Sequence, residues 1–269
     1  MLQSQLYQQY LVYKQQYPKL RDKRLAQKIG ISEGELLVLR LGSAAVSLPP
    51  ACMHQILVEM CSLGYLLCVN RNNQAISESK GYFTTQALGA NEILLSSDTT
   101  SLIIDSTQVS HIFALSATKQ HANNKQFHAN STQRHSLQLC NASGYVVAKI
   151  YLEEPDKTTS FTSLTSKFTA NTPVITFKQQ EHIYKAPEPL DQALAEQLRN
   201  CADIAALVKL LSVKNYSLST SCIDVVTQVE HLEIVNLLTS ASDEDTPIIV
   251  KVSNSNAISI YSGTVVRTK

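Results

Sequence analysis

The chain has 269 residues, of which 44% are hydrophobic and 17% are charged, an ordinary balance for a globular protein. Its formal net charge is +1, which argues against a whole-protein field that would attract nucleic acid or an anionic membrane. No stretch approaches the roughly 18 uninterrupted apolar residues of a membrane span, and the polar N-terminus is unlike a secretory leader. The six cysteines form no Cys-x-x-Cys pair. We therefore expect a cytoplasmic protein with reduced thiols and no membrane insertion.

Apolar residues at helical spacing dominate the first part of the chain, and short apolar runs follow. Gly30 is suited to end a helix, and Ser32 with Glu35 forms a Ser-x-x-Glu capping box that begins the next one. The predicted helices cover residues 3–17, 20–29, 32–39 and 52–63. The predicted strands cover residues 65–69, 75–83, 93–95, 102–104, 111–115, 136–140 and 145–152.

The second part of the chain repeats this order of helices before strands. Its predicted segments are a polar hairpin loop at 117–134, a helix at 159–168, a linker at 169–189, helices at 190–211 and 225–238, an acidic loop at 243–245 and a strand pair at 248–252 and 257–261. Because helices precede strands rather than alternate with them, the predicted fold class is α+β with antiparallel sheet.

A short phrase occurs twice in the chain. Residues 69–77 read Val-Asn-Arg-Asn-Asn-Gln-Ala-Ile-Ser, and residues 252–259 read Val-Ser-Asn-Ser-Asn-Ala-Ile-Ser, at a separation of 182 residues. An internal echo at a fixed distance indicates two copies of one structural unit. We therefore predict tandem duplicated units, a first over residues 1–168 and an incomplete second over residues 190–269, joined by the linker at 169–189.

Residues 21–41 combine a basic helix, a Gly-containing turn and a second helix, which resembles a DNA-binding helix-turn-helix. The second helix begins with Glu33 and Glu35, where base contacts would be made, and its body is apolar apart from Arg40. This pattern favours a structural role, so nucleic acid is not an expected partner.

Three histidines, His121, His128 and His135, recur at a period of seven. Their Asn- and Gln-rich surroundings are typical of a surface loop, and no cysteine or carboxylate stands at metal-ligand spacing, so no metal site is predicted. The chain has no Gly-x-Ser-x-Gly elbow and no Gly-rich phosphate loop. Spacing alone therefore identifies no catalytic residue.

Four segments resemble the cytoplasmic haemin-utilisation proteins, the HemS-like haemin-degrading family. Asn70-Arg-Asn-Asn-Gln-Ala-Ile-Ser-Glu is similar to the family's Thr-Arg-Asn-Glu-x-Ala-Val-His-Glu. The other three are the opening helix pair at 21–37, the Ser-Leu-Gln-Leu-Cys-Asn hairpin at 136–152 and the Ile-Ser-Ile-Tyr-Ser-Gly stretch at 258–265. The resemblance covers nearly the whole chain. It implies an internal duplication of helices followed by antiparallel sheet, in agreement with the echo.

The chain departs from the family pattern at the positions that bind haem. The family's iron-ligating histidine falls at Ala202, and a histidine that is a second ligand in some members falls at Ser77. An arginine of the family's strand region falls near Leu102. Alanine cannot bond iron, so the replacement ligands that we consider are Cys201, beside the family position, and His182 in the linker.

The resemblance implies a protein that binds or traffics imported haem, with haem as cofactor and with a reductant or a downstream haem acceptor as partner if it degrades or delivers that haem. The haem would lie in the cleft between the units, lined by the helix at 190–211. The alternative is a non-catalytic scaffold or remnant that has lost the haem site. Its half-finished sheet would expose an edge strand near Ala257–Thr264, through which two copies could form a homodimer.

Overall fold

The structure is a computed structural model that describes residues 3–72, 75–118, 133–169, 175–178, 220–222, 225–227, 231–244, 247–254 and 256–264. The helices among them are α1 (Gln3–Gln16), α2 (Asp22–Ile29), α3 (Glu33–Val38), α4 (Met53–Ser62), α5 (Thr158–Phe168) and α6 (His231–Asp243). Gly30 ends α2 with a φ of 81°, which a residue with a side chain adopts only with strain. The predicted capping box at the start of α3 is confirmed, since the Glu35 amide donates to Ser32 Oγ at 3.1 Å.

Thirteen strands lie within the described ranges. They are β1 (Ala45–Leu48), β2 (Tyr65–Arg71), β3 (Ile76–Tyr82), β4 (Thr84–Ala87), β5 (Glu92–Ser96), β6 (Thr100–Asp105), β7 (His111–Thr118), β8 (Gln133–Cys140), β9 (Val146–Leu152), β10 (Thr220–Cys222), β11 (Val225–Thr227), β12 (Pro247–Ser253) and β13 (Ala257–Thr264). Every strand-to-strand pairing is antiparallel. The α+β class predicted from the order of elements is therefore confirmed.

Two large sheets form the body of the molecule. The first has the order β1-β7-β8-β9-β2-β3, and the second has the order β12-β13-β6-β5-β4. The main core lies between them and beneath α4 and α5, with Ile56, Leu66, Leu95, Leu137 and Phe161 at most 1% exposed. Alternation along each strand leaves a second face on the six-stranded sheet, opposite this core, and α2 and α3 lie on that side. Among the residues described, no helix has the length and apolar character needed to cross a membrane.

The hairpins β2–β3 and β12–β13 share one geometry. In the first, Tyr65 pairs with Tyr82 and Arg71 with Ile76. In the second, the residues 182 positions later hold the same register, from Pro247 with Thr264 to Ser253 with Ile258. We infer that the two hairpins are the copies behind the repeated phrase. The predicted helix at 190–211 lies outside the described residues, as does the predicted linker at 169–189 apart from Thr169 and residues 175–178.

The turns of the two hairpins are also built alike. The Asn72 amide donates to the Ala75 carbonyl at 3.0 Å, and Asn254 donates to Ala257 at the same distance. In return, each asparagine Oδ1 accepts from the amide of its alanine, at 2.7 Å and 2.8 Å. An asparagine that closes its own turn through its side chain is a local device readable from sequence.

The prediction that Ala257–Thr264 is an exposed edge strand is wrong. β13 pairs with β12 on one side and with β6 on the other, with Ala257 opposite Ile104 and Tyr261 opposite Thr100. An unpaired strand edge leaves backbone donors and acceptors unsatisfied, and β6 and β13 satisfy each other. The homodimer predicted through this strand therefore loses its structural basis.

Two smaller predictions for the second unit also need correction. Val225–Thr227, predicted as helical, is a short strand that pairs with β10, and the helix begins later, at His231. Asp243, predicted in a loop, is the last residue of α6. The adjacent valines Val225 and Val226 favour extended backbone. The prediction extended the helix over them because the residues that follow have helical spacing.

Candidate functional site

A cavity of about 440 Å³ opens on the second face of the six-stranded sheet, beside the start of α2. Its lining combines charged and aliphatic side chains from β2, β3, β8 and β9 with the first residues of α2. The residues are Arg21, Asp22, Lys23, Leu67, Val69, Arg71, Ile76, Glu78, Arg134, Val146, Val147, Ala148, Lys149 and Tyr151. The volume lies within the range of small-molecule sites.

Strand register explains the floor of the cavity. Leu67, Val69 and Arg71 alternate with core residues along β2 and so share its second face. Pairing places Val69 opposite Lys149 of β9 and opposite Glu78 of β3. An aliphatic strip therefore lies between rows of charged side chains, and a ligand with an apolar body suits it.

The rim of the cavity is basic. Five of its lining residues are cations and two are acids, although the whole chain has a net charge of only +1. Buried Glu33, 7% exposed, forms ion pairs with Arg71 and with Lys149, the latter at 3.2 Å. This carboxylate at the start of α3 orients both cations, which come from different strands.

The Asp22 carboxylate lines the cavity but is bound by the guanidinium of Arg40. Burial alone would raise the pKa of its carboxyl, but two hydrogen bonds from Arg40, at 2.8 Å and 3.0 Å, hold that pKa below its ordinary value. The pKa of Lys23 is lowered, first by burial and then by the charge of Arg71. An anion in the cavity would offset this repulsion.

The Arg134 guanidinium lies over the Tyr151 ring, with its central carbon 3.8 Å from the ring centroid, and one terminal nitrogen donates to Glu153 at 3.3 Å. The Nε atoms of Arg71 and Arg134 are buried, and neither has a hydrogen-bond partner among the described residues. A buried donor without a partner costs about 1–3 kcal/mol. Both atoms therefore favour a ligand that brings acceptors, such as carboxylate oxygens.

The ligands predicted from sequence, Cys201 and His182, and the family position Ala202 lie outside the described residues, as does the helix at 190–211. Ser77 lies on β3 but its hydroxyl is directed to the other sheet, where it bonds Ser259. Leu102 is 1% exposed in the main core.

Of the three histidines in the repeat, His135 lies within the described residues, where hydrogen bonds engage both of its ring nitrogens. His135 is buried, with Nδ1 2.9 Å from Ser116 Oγ and Nε2 3.0 Å from Thr158 Oγ1, while His121 and His128 lie outside the described ranges. Within those ranges no group of three or more potential metal ligands occurs.

The burial of α3 contradicts a DNA-binding helix-turn-helix at residues 21–41. Glu33, Gly34, Leu36 and Leu37 of α3 are buried, and the Gly34 amide donates to the carbonyl of Gly144 in the β8–β9 turn at 2.8 Å. A Cβ on Gly34 would lie 2.7 Å from the Gly144 Cα, so the contact requires glycine. The start of this helix faces protein and cannot enter a DNA groove.

Sequence reasoning missed Arg134, Lys149 and Tyr151 altogether. Lys149 and Tyr151 alternate with Ala148, Ile150 and Leu152 on β9, a period-two signal that assigns them to one face. That signal does not reveal which residues of β2 and β8 lie beside them, because this depends on the pairing of distant strands.

Residues 30–168 match the family model described as the haemin-degrading HemS.ChuX domain. The chain is 24% identical over 269 residues to the hemin transport protein HmuS of Yersinia pestis, covering 97% of this chain and 75% of that one. It is also 24% identical over 273 residues to the hemin transport protein HemS of Yersinia enterocolitica, with the same coverage.

Two solved structures share the fold. One is holo-PhuS, a heme-binding protein from Pseudomonas aeruginosa, with a TM-score of 0.74 and 21% identity. The match covers 100% of this chain and 78% of the PhuS chain. The heme-degrading enzyme ChuS of Escherichia coli O157:H7 has a TM-score of 0.69 and 23% identity, with coverage of 98% and 76%. Since the family model spans more than half of its residues, this chain belongs to the haemin-degrading HemS.ChuX domain family.

Proposed function

We propose that this chain binds haem in the cavity of the six-stranded sheet and acts in cytoplasmic haem utilisation, as a carrier of imported haem. The observation that carries the proposal is the position of the family segment. Residues 30–168 include all of the cavity lining except Arg21, Asp22 and Lys23. The relatives named as hemin transport proteins support the same substrate.

The residues present fit haem, a flat apolar ring with two carboxylates. Leu67, Val69 and Ile76 offer an aliphatic surface for the ring, and the unpartnered Nε atoms of Arg71 and Arg134 offer donors for the carboxylates. When bound, haem supplies iron-centred redox and oxygen chemistry. The protein's part is to bind the ring, orient its carboxylates and exclude water from one face.

Tyr151 is the lining side chain of a type that ligates haem iron in proteins. Cys201 and His182 remain alternative ligands, and neither lies within the described residues. The duplication links the two sites, since Leu20 lies 182 positions before Ala202 and directly precedes the lining residue Arg21. This spacing in the sequence supports the choice of the cavity as the haem site.

A haemin titration followed by absorbance tests the proposal. We expect a saturable, one-to-one change of the Soret band, weakened about tenfold by Arg134→Gln through the loss of a charge-assisted hydrogen bond. Lys167→Gln is the matched control, because Lys167 is 63% exposed and pairs with Glu59 of α4, outside the cavity. Unsaturable binding, or equal weakening by both variants, would overturn the proposal.

Metal-free protoporphyrin separates the cavity from iron ligation. The porphyrin retains the ring and both carboxylates, so its fluorescence should report binding that depends on Arg134 but not on Tyr151.

Adding ascorbate to the haemin complex under air then distinguishes carriage of haem from degradation of haem. A stable Soret band supports the carrier, and loss of the band with release of iron supports ring opening.

A further inference from the structure

The segment 175–178 follows α5 in the chain and lies on the other face of the six-stranded sheet. α5 packs against the main core, whereas Ile175 and Phe177 join an apolar cluster with residues of α3, β7 and β9 on the second face. The Lys178 amide donates to the Ala142 carbonyl, in the turn between β8 and β9, at 2.8 Å. Part of the predicted linker is therefore docked on the face that carries the cavity.

Phe177 fills the junction between the start of α3 and the β8–β9 turn. A Cβ on Gly34 would lie 2.7 Å from the Phe177 Cζ, and a Cβ on Gly144 would lie 3.2 Å from the Phe177 Cδ1. One edge of the aromatic ring therefore runs along both glycines. The ring also meets His111 edge to face, with the two ring centroids 4.7 Å apart. The absence of a side chain on each glycine is what lets the ring lie so close to the backbone of α3.

The junction that Phe177 fills lies directly beside an ionic contact of the cavity. Gly34 follows Glu33, whose carboxylate pairs with Arg71 and with Lys149, the latter at 3.2 Å. The two cations come from β2 and β9, whereas Glu33 comes from α3. Both ion pairs therefore depend on where the start of α3 lies on the sheet, and Phe177 packs against the backbone at that point.

We propose that Phe177 is a positioning residue of the haem cavity, which holds the Glu33 carboxylate against Arg71 and Lys149. Held there, this carboxylate competes with the carboxylates of a ligand for the two cations. Docking of the segment 175–178 therefore limits the affinity of the cavity for an anionic ligand such as haem. The identity of the ligand rests on the proposed function, whereas the contact between Phe177 and the start of α3 does not.

Binding of metal-free protoporphyrin to the full chain, followed by its fluorescence, tests this role. Phe177→Ala should lower the dissociation constant about threefold or more, because Glu33 then no longer holds both cations. A role in packing alone predicts unchanged or weaker binding. Leu164→Ala is the control, since Leu164 is 3% exposed in the main core and its truncation loosens packing on the other side of the sheet. This control should not tighten binding.

A double variant shows whether Phe177 acts through Glu33. In the Glu33→Gln background the charge of the competing carboxylate is already absent, so adding Phe177→Ala should change the dissociation constant by less than about twofold. Phe177→Leu keeps an apolar side chain without the ring edge and should bind with an affinity between those of the parent and Phe177→Ala. It replaces the alanine variant if that variant fails to fold. Unchanged or weaker binding in the single Phe177 variants, or a full effect in the Glu33→Gln background, overturns the proposal.

Urea denaturation provides an arm that needs no ligand. If Phe177 holds Glu33 in its ion pairs, the fall in the urea midpoint caused by Glu33→Gln should be about half as large in the Phe177→Ala background as in the parent chain. A parent chain that shows this coupling but binds no porphyrin saturably overturns the proposed function and supports the role of Phe177 toward Glu33. Strictly additive midpoints overturn that role, whether or not porphyrin binds.

Discussion

The hydroxyl oxygens of Ser77 and Ser259 lie 2.8 Å apart, although 182 residues separate them in the chain. This separation equals the distance between the two copies of the repeated phrase. Each serine lies on the second strand of its own hairpin, so equivalent positions of the two copies contact each other. Such a contact arises when two copies pack about an approximate twofold axis.

The serine pair should behave as a coupled unit in stability measurements. Ser77→Ala and Ser259→Ala should each cost about 1 kcal/mol, because each leaves a hydroxyl without its partner in a largely buried position. The double variant should cost less than the sum of the two, since the unpaired hydroxyl is then gone. Urea denaturation of the four proteins measures the coupling, and strict additivity would contradict this contact.

Asn254 should be the most sensitive polar residue of the second hairpin. Its side-chain nitrogen Nδ2 donates to Asn70 Oδ1 at 2.6 Å and to the Val147 carbonyl at 2.9 Å. These hydrogen bonds join the two sheets. Asn254→Ala should destabilise the fold by roughly 2–3 kcal/mol. Asn254→Asp should destabilise the fold at least as much as Asn254→Ala. Aspartate keeps the Oδ1 acceptor of the turn, but its second carboxylate oxygen would face the oxygens of Asn70 and Val147. If aspartate restores stability in urea denaturation, the donor contacts are unimportant.

Replacing Glu33 should lower the stability of the fold and raise its affinity for haem. Glu33→Gln removes a buried carboxylate from Arg71 and Lys149 and should destabilise the fold by about 3 kcal/mol. The two freed cations should then bind haem carboxylates more tightly, which the Soret titration measures. Glu59→Gln, which breaks the exposed pair with Lys167, is the control, with a cost of no more than about 1 kcal/mol and no change in affinity.

Acid should weaken the protein through two histidines, the buried His135 and the partly buried His111. Burial lowers the pKa values of His135 and His111 below the ordinary 6.5, so the unfolded chain binds protons that the folded chain does not. Stability should therefore be full above about pH 6.5 and fall as the pH drops toward the folded pKa values. His135→Gln should flatten part of this dependence in urea midpoints across this range, and an unchanged slope would exclude His135 as a contributor.

Under the proposed haem site, Tyr151→Phe should alter the spectrum of the haemin complex, because Tyr151 lines the cavity and a phenol oxygen is a known ligand of haem iron. Protoporphyrin binding should be unchanged, since phenylalanine retains the ring beneath Arg134. Cys201→Ser and His182→Ala are the comparison variants. If one of them abolishes the bound spectrum and Tyr151→Phe does not, the iron is ligated from the linker or the second unit instead.

Most elements of the first unit could be predicted from local pattern, because their signals are local. The capping box of α3, the glycine after α2 and the Asn141 turn between β8 and β9 all use contacts within a few residues. β1 and β4 were missed. Each has four residues, too few for alternation to stand out.

Pairing between distant segments was beyond sequence reasoning. The repeated phrase predicts a second hairpin but not its neighbour, so the pairing of β13 with β6 cannot be foreseen from it. The candidate cavity was missed for the same reason. Its cations Arg71, Arg134 and Lys149 come from three strands, and Glu33 orients two of them from a helix.

The junction of β6 with β13 also has a consequence for synthesis on the ribosome. β6 emerges about 150 residues before its partner, which at roughly 5–20 residues per second is a delay of about 8–30 s. Throughout that time the aliphatic strand Thr-Ser-Leu-Ile-Ile-Asp has one free edge in a nascent chain. The hairpin β12–β13 therefore acts as a late internal cover for the first unit, and chains that stop before it should be prone to aggregation.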